Sequence, residues 1–199
     1  MFINTRKTTS IRHLGSVDIT ALKAAVLNIP ENIWEIENRN KPNRFDALDS
    51  ARHIVFRFVE SYRDWRQSYD RPIWSEWQGL LEPVMQAATR DYGYVHGVYP
   101  RVMLARMPSG GVIQPHRDAN PAARWPHKIH VPIQTNDGVL FRVDQATFQM
   151  SVGEAVELNN MGVHSVENRG DTDRIHLIFE YYDADQPDPD WIGPKISMA

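Results

Sequence analysis

The chain has 199 residues, which is enough for one sizeable domain and short for two. Its net charge is −3 and it contains no apolar run near the ~20 residues that span a bilayer, so neither a nucleic-acid nor a membrane partner is expected. It has no cysteine, which excludes disulfides, thiolate catalysis and cysteine-based zinc sites; we expect a cytoplasmic protein in which histidine and carboxylate side chains hold any metal.

The first half of the chain, residues 1–97, carries mixed helix and strand signals and no motif. Residues 16–29 space apolar side chains at three and four positions and stop before a proline, which predicts a short helix. Residues 53–59 are rich in β-branched and aromatic side chains and predict a strand. Residues 72–94 predict one helix or two, because a proline within the run kinks or restarts it.

From residue 98 onwards the sequence consists of short strand-like runs separated by turn residues. The eight runs are residues 101–107, 112–118, 128–134, 139–143, 147–150, 154–158, 162–168 and 173–183. Turn signals such as the Thr-Asn-Asp-Gly between the third and fourth runs predict hairpins between neighbours.

We therefore predict one domain over residues 1–199, of the α+β class and mainly β. Its core, residues 98–183, is expected to be a double-stranded β-helix, a cupin-like jelly roll, because eight short strands pack naturally as a double sheet. The mixed half, residues 1–97, would contribute helices packed outside this core. The proline-rich tail, residues 184–199, is expected to be irregular.

A histidine and an aspartate in the second run indicate a metal site. His116 and Asp118 are two residues apart, and on a strand such side chains point to the same face, so the imidazole and the carboxylate converge. His164, in the seventh run, offers a third ligand. Two histidines and one carboxylate leave three positions of an octahedral ion open, which is the arrangement of non-haem Fe(II) oxygenases.

An arginine near the third ligand suggests a co-substrate. When 2-oxoglutarate chelates iron through its keto acid end, its distal carboxylate needs a cation, and the planar guanidinium fork matches a carboxylate best. Arg174 follows His164 by ten residues, and a hairpin between the last two runs would set the two side chains opposite each other. If Arg174 faces inward, period two places His176, Ile178 and Glu180 on the same face.

The surrounding motifs resemble a known family. The order His-x-Asp, a long gap, then His and an arginine resembles the iron- and 2-oxoglutarate-dependent dioxygenases. Within that group, PHRDAN, KIHVPIQTN and the run from HSVENRG to DRIHLIFEYYD look like the aspartyl/asparaginyl β-hydroxylase family, over residues 98–183. The resemblance implies a hydroxylase with a jelly-roll fold that uses Fe(II), 2-oxoglutarate and O2.

By this resemblance, His116 and His164 are iron ligands and Arg174 holds the distal carboxylate of 2-oxoglutarate. Some members of the family lack a carboxylate ligand, whereas Asp118 makes this chain similar to the members that hydroxylate free amino acids with the full set of three ligands. The same aspartate argues against a halogenase, which needs that position vacant for chloride.

Four further polar residues lie in the third run, directly before it, or in the last run. His130 falls where the family places a histidine that contacts the co-substrate; the alternative is a core histidine with satisfied hydrogen bonds. Lys128 falls at the position of a family arginine, and its ammonium lacks the bidentate fork. His127 and His130 do not form a zinc pair, because positions i and i+3 of a strand face opposite sides. His176 is interpreted as an inward strand residue rather than a ligand.

Substrate contacts are expected from the loop 118–127, which leaves the iron-bearing strand directly and is stiffened by prolines. Arg124 and Trp125 in this loop are candidates, against the alternative of a plain surface loop. Arg106 is a further candidate for a substrate carboxylate.

The predicted function is hydroxylation of an unactivated C–H bond in a free amino acid or a small amino-acid-derived metabolite. One alternative is hydroxylation of Asp or Asn side chains in a protein or peptide. An alternative of another class is a non-catalytic cupin-like module that binds a small molecule. A zinc or manganese isomerase of the cupin type would use the same three ligands and have no use for Arg174. The oligomeric state is not predicted.

Overall fold

Two antiparallel sheets packed face to face form the core of the protein, which the computed structural model describes for residues 7–118 and 120–185. The strands of this part are β1 (Ile11–Ser16), β2 (Arg52–Ser61), β3 (Asp64–Asp70), β4 (Gly97–Val98), β5 (Val102–Met107), β6 (Val112–His116), β7 (His127–Gln134), β8 (Val139–Val143), β9 (Ala146–Phe148), β10 (Glu154–Leu158), β11 (His164–Asn168) and β12 (Arg174–Asp183). The α-helices are α1 (Thr20–Leu27), α2 (Glu31–Arg39), α3 (Trp74–Thr89) and α4 (Pro121–Arg124). All but the first two residues of the predicted tail lie outside the described residues.

The strand order is that of a double-stranded β-helix. The larger sheet has the order β1-β10-β7-β12-β5-β2-β3, with β4 paired to the end of β12, and the smaller sheet has the order β6-β11-β8-β9. From β5 onwards the chain alternates between the two sheets, except that β8 and β9 are neighbours in the smaller one. Each of the eight predicted runs is one of these strands. The predicted jelly-roll core is confirmed.

Two predicted hairpins are wrong. The turn after β7 crosses to the smaller sheet, and the turn after β11 crosses to the larger one, so neither joins a strand to its pairing partner. The two crossing turns lie against each other: Asn136 Nδ2 donates to the carbonyl oxygen of Thr172 at 2.9 Å. A Cβ at Gly138 would come within 2.2 Å of the backbone nitrogen of Gly170. Glycine is needed because the two backbones touch.

The helices of the N-terminal half cover the outer face of the larger sheet. Leu22 of α1, Trp34 of α2 and Leu81 of α3 are buried in one apolar cluster with Leu104 and Leu177 of the sheet. This confirms the predicted position of the helices outside the core. None of the helices in the described part of the chain is long and apolar enough to cross a lipid bilayer.

The helices and strands of the N-terminal half agree only partly with those predicted from the sequence. The helix predicted at 16–29 is shorter, because the chain before it pairs with β10 as strand β1. The strand predicted at 53–59 is the centre of β2, whereas α2 and β3 were not predicted. The run 72–94 contains one α-helix, α3, which continues through Pro83. Propensity revealed β2 but neither β1 nor β3; these three strands extend the larger sheet on both edges.

Alternation along β12 separates the two faces of the larger sheet. Ile175, Leu177 and Phe179 pack in the cluster under the helices, whereas Arg174 and Ile178 line a cavity between the sheets. This is the arrangement that period two predicts for an inward Arg174. The inner face of β12 therefore brings Arg174 into the space between the sheets, and its outer face makes the apolar contacts under the helices.

Candidate metal centre

Three side chains converge at the edge of the smaller sheet. His116 ends β6 and His164 begins β11, and the two residues are paired across these neighbouring antiparallel strands. Asp118 lies two residues beyond His116. One ligand atom from each of the three residues lies within 4.8 Å of the other two, and His116 Nε2 is 3.8 Å from Asp118 Oδ1. These distances suit three donors around a single ion.

The backbone fixes which nitrogen of each imidazole is free. The Nδ1–H of His116 donates to the carbonyl oxygen of Gln114 at 2.7 Å, and the Nδ1–H of His164 donates to that of Gly162 at 3.1 Å. Since a carbonyl oxygen only accepts, Nδ1 of each ring carries a proton, and Nε2 is the nitrogen available to a metal. Burial also lowers the pKa of His164 to about 4, so this ring is neutral at physiological pH.

The third donor is a carboxylate held by an ammonium group. Burial would raise the pKa of Asp118, but the Lys128 ammonium and the two histidines hold it well below its usual range. Lys128 Nζ donates to Oδ2 of Asp118, and the backbone N–H of Asp118 donates to the carbonyl oxygen of Asn160 at 2.9 Å. Oδ1 remains directed at the histidines. Two imidazole nitrogens and one carboxylate oxygen are the donor set of the facial triad that binds Fe(II).

Two cavities meet at these donors. The rear cavity lies between the sheets and is lined by His116, His164 and Arg174 together with His130 and Phe141. The front cavity is lined by His116 and Asp118 and by a second set of residues from the N-terminal half and the larger sheet: Asn43, Phe45, Phe58, Tyr62, Arg101, Asn120 and Glu180. Lys128, Met103 and Ile178 line both. A metal at the three donors would therefore have one cavity on each side.

Arg174 presents a buried guanidinium to the rear cavity. The side chain is 1% exposed, and its Nε and Nη1 have no hydrogen-bond partner among the described residues. Its Cζ lies 5.0 Å from the ring centroid of Phe141. Burial lowers the pKa of Arg174 to about 9, which still leaves it protonated at neutral pH. A buried cation without an anion is costly, so the position calls for an anionic ligand.

Two histidines beside Arg174 are also without partners. Both ring nitrogens of His130 and of His176 are buried and have no hydrogen bond to any described residue. Burial lowers the pKa of both well below the usual value, so the rings are neutral and each carries one N–H. His130 lines the rear cavity, whereas His176 stacks on Phe141 with ring centroids 5.5 Å apart. A ligand oxygen in the rear cavity would meet the N–H of His130.

His127 lies on the other side of β7 and serves a structural network. Its Nδ1 is 2.8 Å from Glu157 Oε1 and its Nε2 is 2.8 Å from the hydroxyl of Tyr94. Glu157 is fully buried and also accepts from the hydroxyl of Tyr92 at 2.9 Å and pairs with Arg12 at 3.1 Å. The exclusion of His127 from the ligand set agrees with this position under the helical layer.

The residues predicted to contact substrate line neither cavity. Arg106 points to the helical side of β5, opposite to Met103, and pairs with Glu31 at 2.6 Å. Arg124 is exposed on α4 with its Cζ 5.4 Å from the ring centroid of Trp125, which itself packs on an apolar cluster beside β2. The structure thus does not bring Arg106, Arg124 or Trp125 to the metal ligands. Arg106 occupies a position of β5 that faces the helices, and the short helix α4 carries Arg124 and Trp125 away from the site.

Sequence reasoning missed most of the front cavity. Asn43 and Phe45 come from the segment between α2 and β2, and Arg101 immediately precedes β5. No motif marks these residues. His53 of β2, which also lines the rear cavity, carried no signal in the sequence. Glu180 is the exception, since the period of β12 places it on the same face as Arg174.

A family model matches this part of the chain. The model of the aspartyl/asparaginyl β-hydroxylase family matches residues 82–184, a little over half of the sequence. That range contains every strand from β4 to β12 and all three candidate metal ligands. No curated protein matches the chain at a significant level.

Solved structures share the fold at low sequence identity. An oxidoreductase of the 2OG-Fe(II) oxygenase family from Burkholderia pseudomallei matches with a TM-score of 0.55 and 13% identity, over 89% of this chain and 93% of that one. AviO1 from Streptomyces viridochromogenes Tue57 matches with a TM-score of 0.53 and 18% identity, over 90% and 92%. EvdMO1 matches with a TM-score of 0.58 and 14% identity, over 88% of this chain and 47% of that one. These likenesses establish the fold.

Proposed function

The chain belongs to the aspartyl/asparaginyl β-hydroxylase family, and on that premise we propose that it hydroxylates an unactivated C–H bond of a free amino acid or a small amino-acid-derived metabolite. It is a 2-oxoglutarate-dependent non-haem iron dioxygenase, with Fe(II), 2-oxoglutarate and O2 as cofactor and co-substrates. In this proposal His116, Asp118 and His164 hold Fe(II), and Arg174 holds the co-substrate.

The donor chemistry supports the ligand set. Nδ1 of His116 and Nδ1 of His164 each donate to a carbonyl oxygen two residues earlier in the chain, so Nε2 is the nitrogen that each ring offers to a metal. Asp118 contributes one carboxylate oxygen, since Lys128 binds the other. A metal-binding histidine usually donates its other ring N–H to an acceptor, and this hydrogen bond fixes the orientation of the ring. Three protein donors on one side leave room for a chelating co-substrate and for oxygen.

The buried guanidinium of Arg174 is the single observation that carries the co-substrate assignment. It lines the same cavity as His116 and His164, and two of its nitrogens lack a partner among the described residues. The distal carboxylate of 2-oxoglutarate would supply the missing acceptors. His130, with no partner in the described part of the chain, would donate its N–H to an oxygen of the same molecule. A cupin-type isomerase would leave Arg174 without a role.

Iron and 2-oxoglutarate together supply the oxidising chemistry, in which 2-oxoglutarate and O2 become succinate and CO2 as the substrate is hydroxylated. The chain itself contributes position and a dry environment. Arg174 holds one end of the co-substrate, and the apolar side chains of Ile113, Phe141 and Val166 form the wall of the rear cavity and exclude water. No side chain needs to act as a general base.

The shape of the front cavity supports a small substrate. Its lining combines the buried side chains of Arg101 and Glu180 with the aromatic rings of Phe45 and Tyr62, which are 46% and 38% exposed. A compact molecule in this cavity would have one C–H bond near the metal. The alternative is an Asp or Asn side chain of a peptide that enters past the two exposed rings.

Succinate formation tests the proposed function. The purified protein, reconstituted anaerobically with Fe(II), is exposed to O2 and 2-oxoglutarate, and succinate is measured with and without a panel of free amino acids and peptides. We expect metal-dependent succinate formation that at least one of these compounds stimulates. Absence of succinate, together with absence of metal-dependent 2-oxoglutarate binding, would contradict the proposal and favour the non-catalytic binding module.

A further inference from the structure

The front cavity contains an ion pair that the metal site does not use. Arg101 Nη1 donates to both carboxylate oxygens of Glu180, at 2.7 and 2.8 Å, and the two side chains are only 7% and 5% exposed. Nη2 of Arg101 donates to Asn120 Oδ1 at 3.2 Å. The Nε–H of Arg101 is buried and has no acceptor among the described residues. Arg101, which lines the cavity, therefore retains one donor without an acceptor in the described part of the chain.

A second unsatisfied group lines the same cavity. Asn43 is 3% exposed, and its Oδ1 has no donor within the described part of the chain. Its Nδ2 donates to the sulfur of Met103 at 3.8 Å, and a thioether sulfur is a weak acceptor. An unsatisfied buried donor and an unsatisfied buried acceptor each lower the stability of the fold. A ligand that offers both an acceptor and a donor beside these groups would satisfy both.

The charges around the cavity favour a ligand without net charge. Arg101 and Lys128 contribute two positive groups, and Asp118 and Glu180 contribute two negative ones, among the described lining residues. A head group that carries only a negative or only a positive charge would lie beside side chains of the same charge. A zwitterion pairs its carboxylate with a guanidinium and its ammonium with a carboxylate.

The rest of the cavity is apolar. The side chains of Leu48, Phe58, Met103 and Ile178 line it, together with the exposed rings of Phe45 and Tyr62. The rings of Phe45 and Tyr62 meet edge to face with centroids 5.7 Å apart. These surfaces match an apolar side chain of a ligand.

We propose that Arg101, Glu180 and Asn43 determine substrate specificity by recognising the charged head group of a free α-amino acid with an apolar side chain. Arg101 binds the α-carboxylate through its unused Nε–H. Glu180 and Asn43 Oδ1 accept hydrogen bonds from the α-ammonium. The side chain then lies against the apolar wall, next to the His116 and Asp118 side of the metal site. This inference rests on the proposed function and names its substrate class.

The first experiment uses the wild-type protein loaded with Fe(II). Four compounds are compared for each apolar residue: the free α-amino acid, its N-acetyl derivative, its carboxamide, and a short peptide that carries the residue internally. The measured quantity is the succinate formation that each compound stimulates. We expect stimulation by the free amino acid and a loss of about 30-fold or more in kcat/KM when either charge is blocked, as for a buried charge that loses its partner. Equal or better turnover of the blocked compounds, or no stimulation by any free amino acid, overturns the inference.

Two variants then separate recognition from stability. Glu180→Gln should lose the preference for the free amino acid over its N-acetyl derivative while it retains the preference over the carboxamide; Arg101→Gln should show the reverse. A merely structural role would lower activity on all four compounds in parallel, which contradicts the proposal. Glu37→Gln is the matched control, because Glu37 pairs with Arg71 at 3.4 Å away from both cavities. It should change neither preference.

The two proposals fail in different ways. If metal-dependent 2-oxoglutarate binding and slow succinate formation are present but amidated, acetylated or peptide substrates are preferred, the dioxygenase assignment stands and the head-group assignment is wrong. If the loaded protein neither binds nor turns over 2-oxoglutarate, both are wrong.

Discussion

Lys128 donates to Oδ2 of Asp118, while Oδ1 of the same carboxylate lies 3.8 Å from His116 Nε2. The ammonium thus neutralises a candidate metal ligand before any metal is bound. In the family resemblance this position is an arginine that contacts the co-substrate. The present geometry gives the lysine a partner within the ligand set, and a contact with 2-oxoglutarate remains a prediction.

Replacement of Lys128 by methionine should therefore affect the metal-free protein most. The change leaves a largely buried carboxylate without its cation, which we expect to lower the free energy of unfolding by roughly 1–3 kcal/mol. Fe(II) should restore more stability to the variant than to the wild type, because it replaces the lost positive charge. Thermal unfolding with and without Fe(II) measures both effects. Lys23→Met on α1 serves as a control, and an equal metal-induced shift in the Lys128 variant and the wild type would argue against this role.

Loss of a histidine ligand should abolish the activity. His164→Ala removes one of three donors, so we expect Fe(II) affinity and succinate formation to fall by more than the roughly 10–100-fold that loss of an outer hydrogen-bond partner costs. Titration with Fe(II) under anaerobic conditions and a succinate assay provide the measurements. His96→Ala is the control, because His96 is largely exposed and pairs only with Asp185 among the described residues. Retention of tight metal binding in His164→Ala would refute the proposed ligand set.

Arg174→Met should weaken 2-oxoglutarate selectively. The expected loss is roughly 2–5 kcal/mol of binding free energy, as for a buried ion pair that loses one partner. The variant should also discriminate less between 2-oxoglutarate and 2-oxo acids that lack the distal carboxylate. Apparent KM values for these acids give the comparison. Arg106→Met is an informative control, since Arg106 lies on the helical side of β5, and a similar loss of 2-oxoglutarate affinity there would place the co-substrate elsewhere.

The network around Glu157 should make stability depend on pH. Although burial raises the pKa of Glu157, hydrogen bonds and ion pairs with His127 and Arg12 lower it below the ordinary 4.5. Its contribution to stability is thus fully present above pH 4.5 and is lost as pH falls through the lower pKa of the folded state. Glu157→Gln should be less stable by roughly 3–5 kcal/mol at pH 7, and the difference should narrow in acid.

Denaturant unfolding at pH 7 and at pH 3 measures this difference. Glu154→Gln is the matched control, because Glu154 pairs with His13 at the surface and should show a small effect at both pH values. A difference between Glu157→Gln and the wild type that stays constant with pH would mean that Glu157 acts through packing alone.

The strand pattern of the core was predictable because it depends on local alternation. Period two along β12 correctly placed Arg174 and Ile178 on the inner face, and the spacing of His116 and Asp118 placed both on one side of their strand. Turn signals are local as well, and for that reason the two predicted hairpins were wrong. Thr-Asn-Asp-Gly specifies a tight turn but does not determine which strand the next segment pairs with. In a double-stranded β-helix that partner lies in another part of the chain.

The substrate side of the site was not predictable for two physical reasons. Residues 102–105 of β5 are all apolar, so alternation does not reveal which face of this strand is inward, and the sequence could not show that Arg106 lies on the helical side. Asn43 and Arg101 reach the front cavity only through tertiary packing between the N-terminal half and the larger sheet. No periodicity within either segment carries that information.

The hydrogen bonds from His116 to Gln114 and from His164 to Gly162 have a thermodynamic consequence. Each imidazole is oriented by a carbonyl group two residues earlier in its own segment, so the conformational entropy of arranging the two rings is lost when the chain folds. Metal uptake then requires little rearrangement of these side chains. Removal of the ion by a chelator and its return, or replacement by another divalent ion of similar size, should proceed on a chain that stays folded throughout.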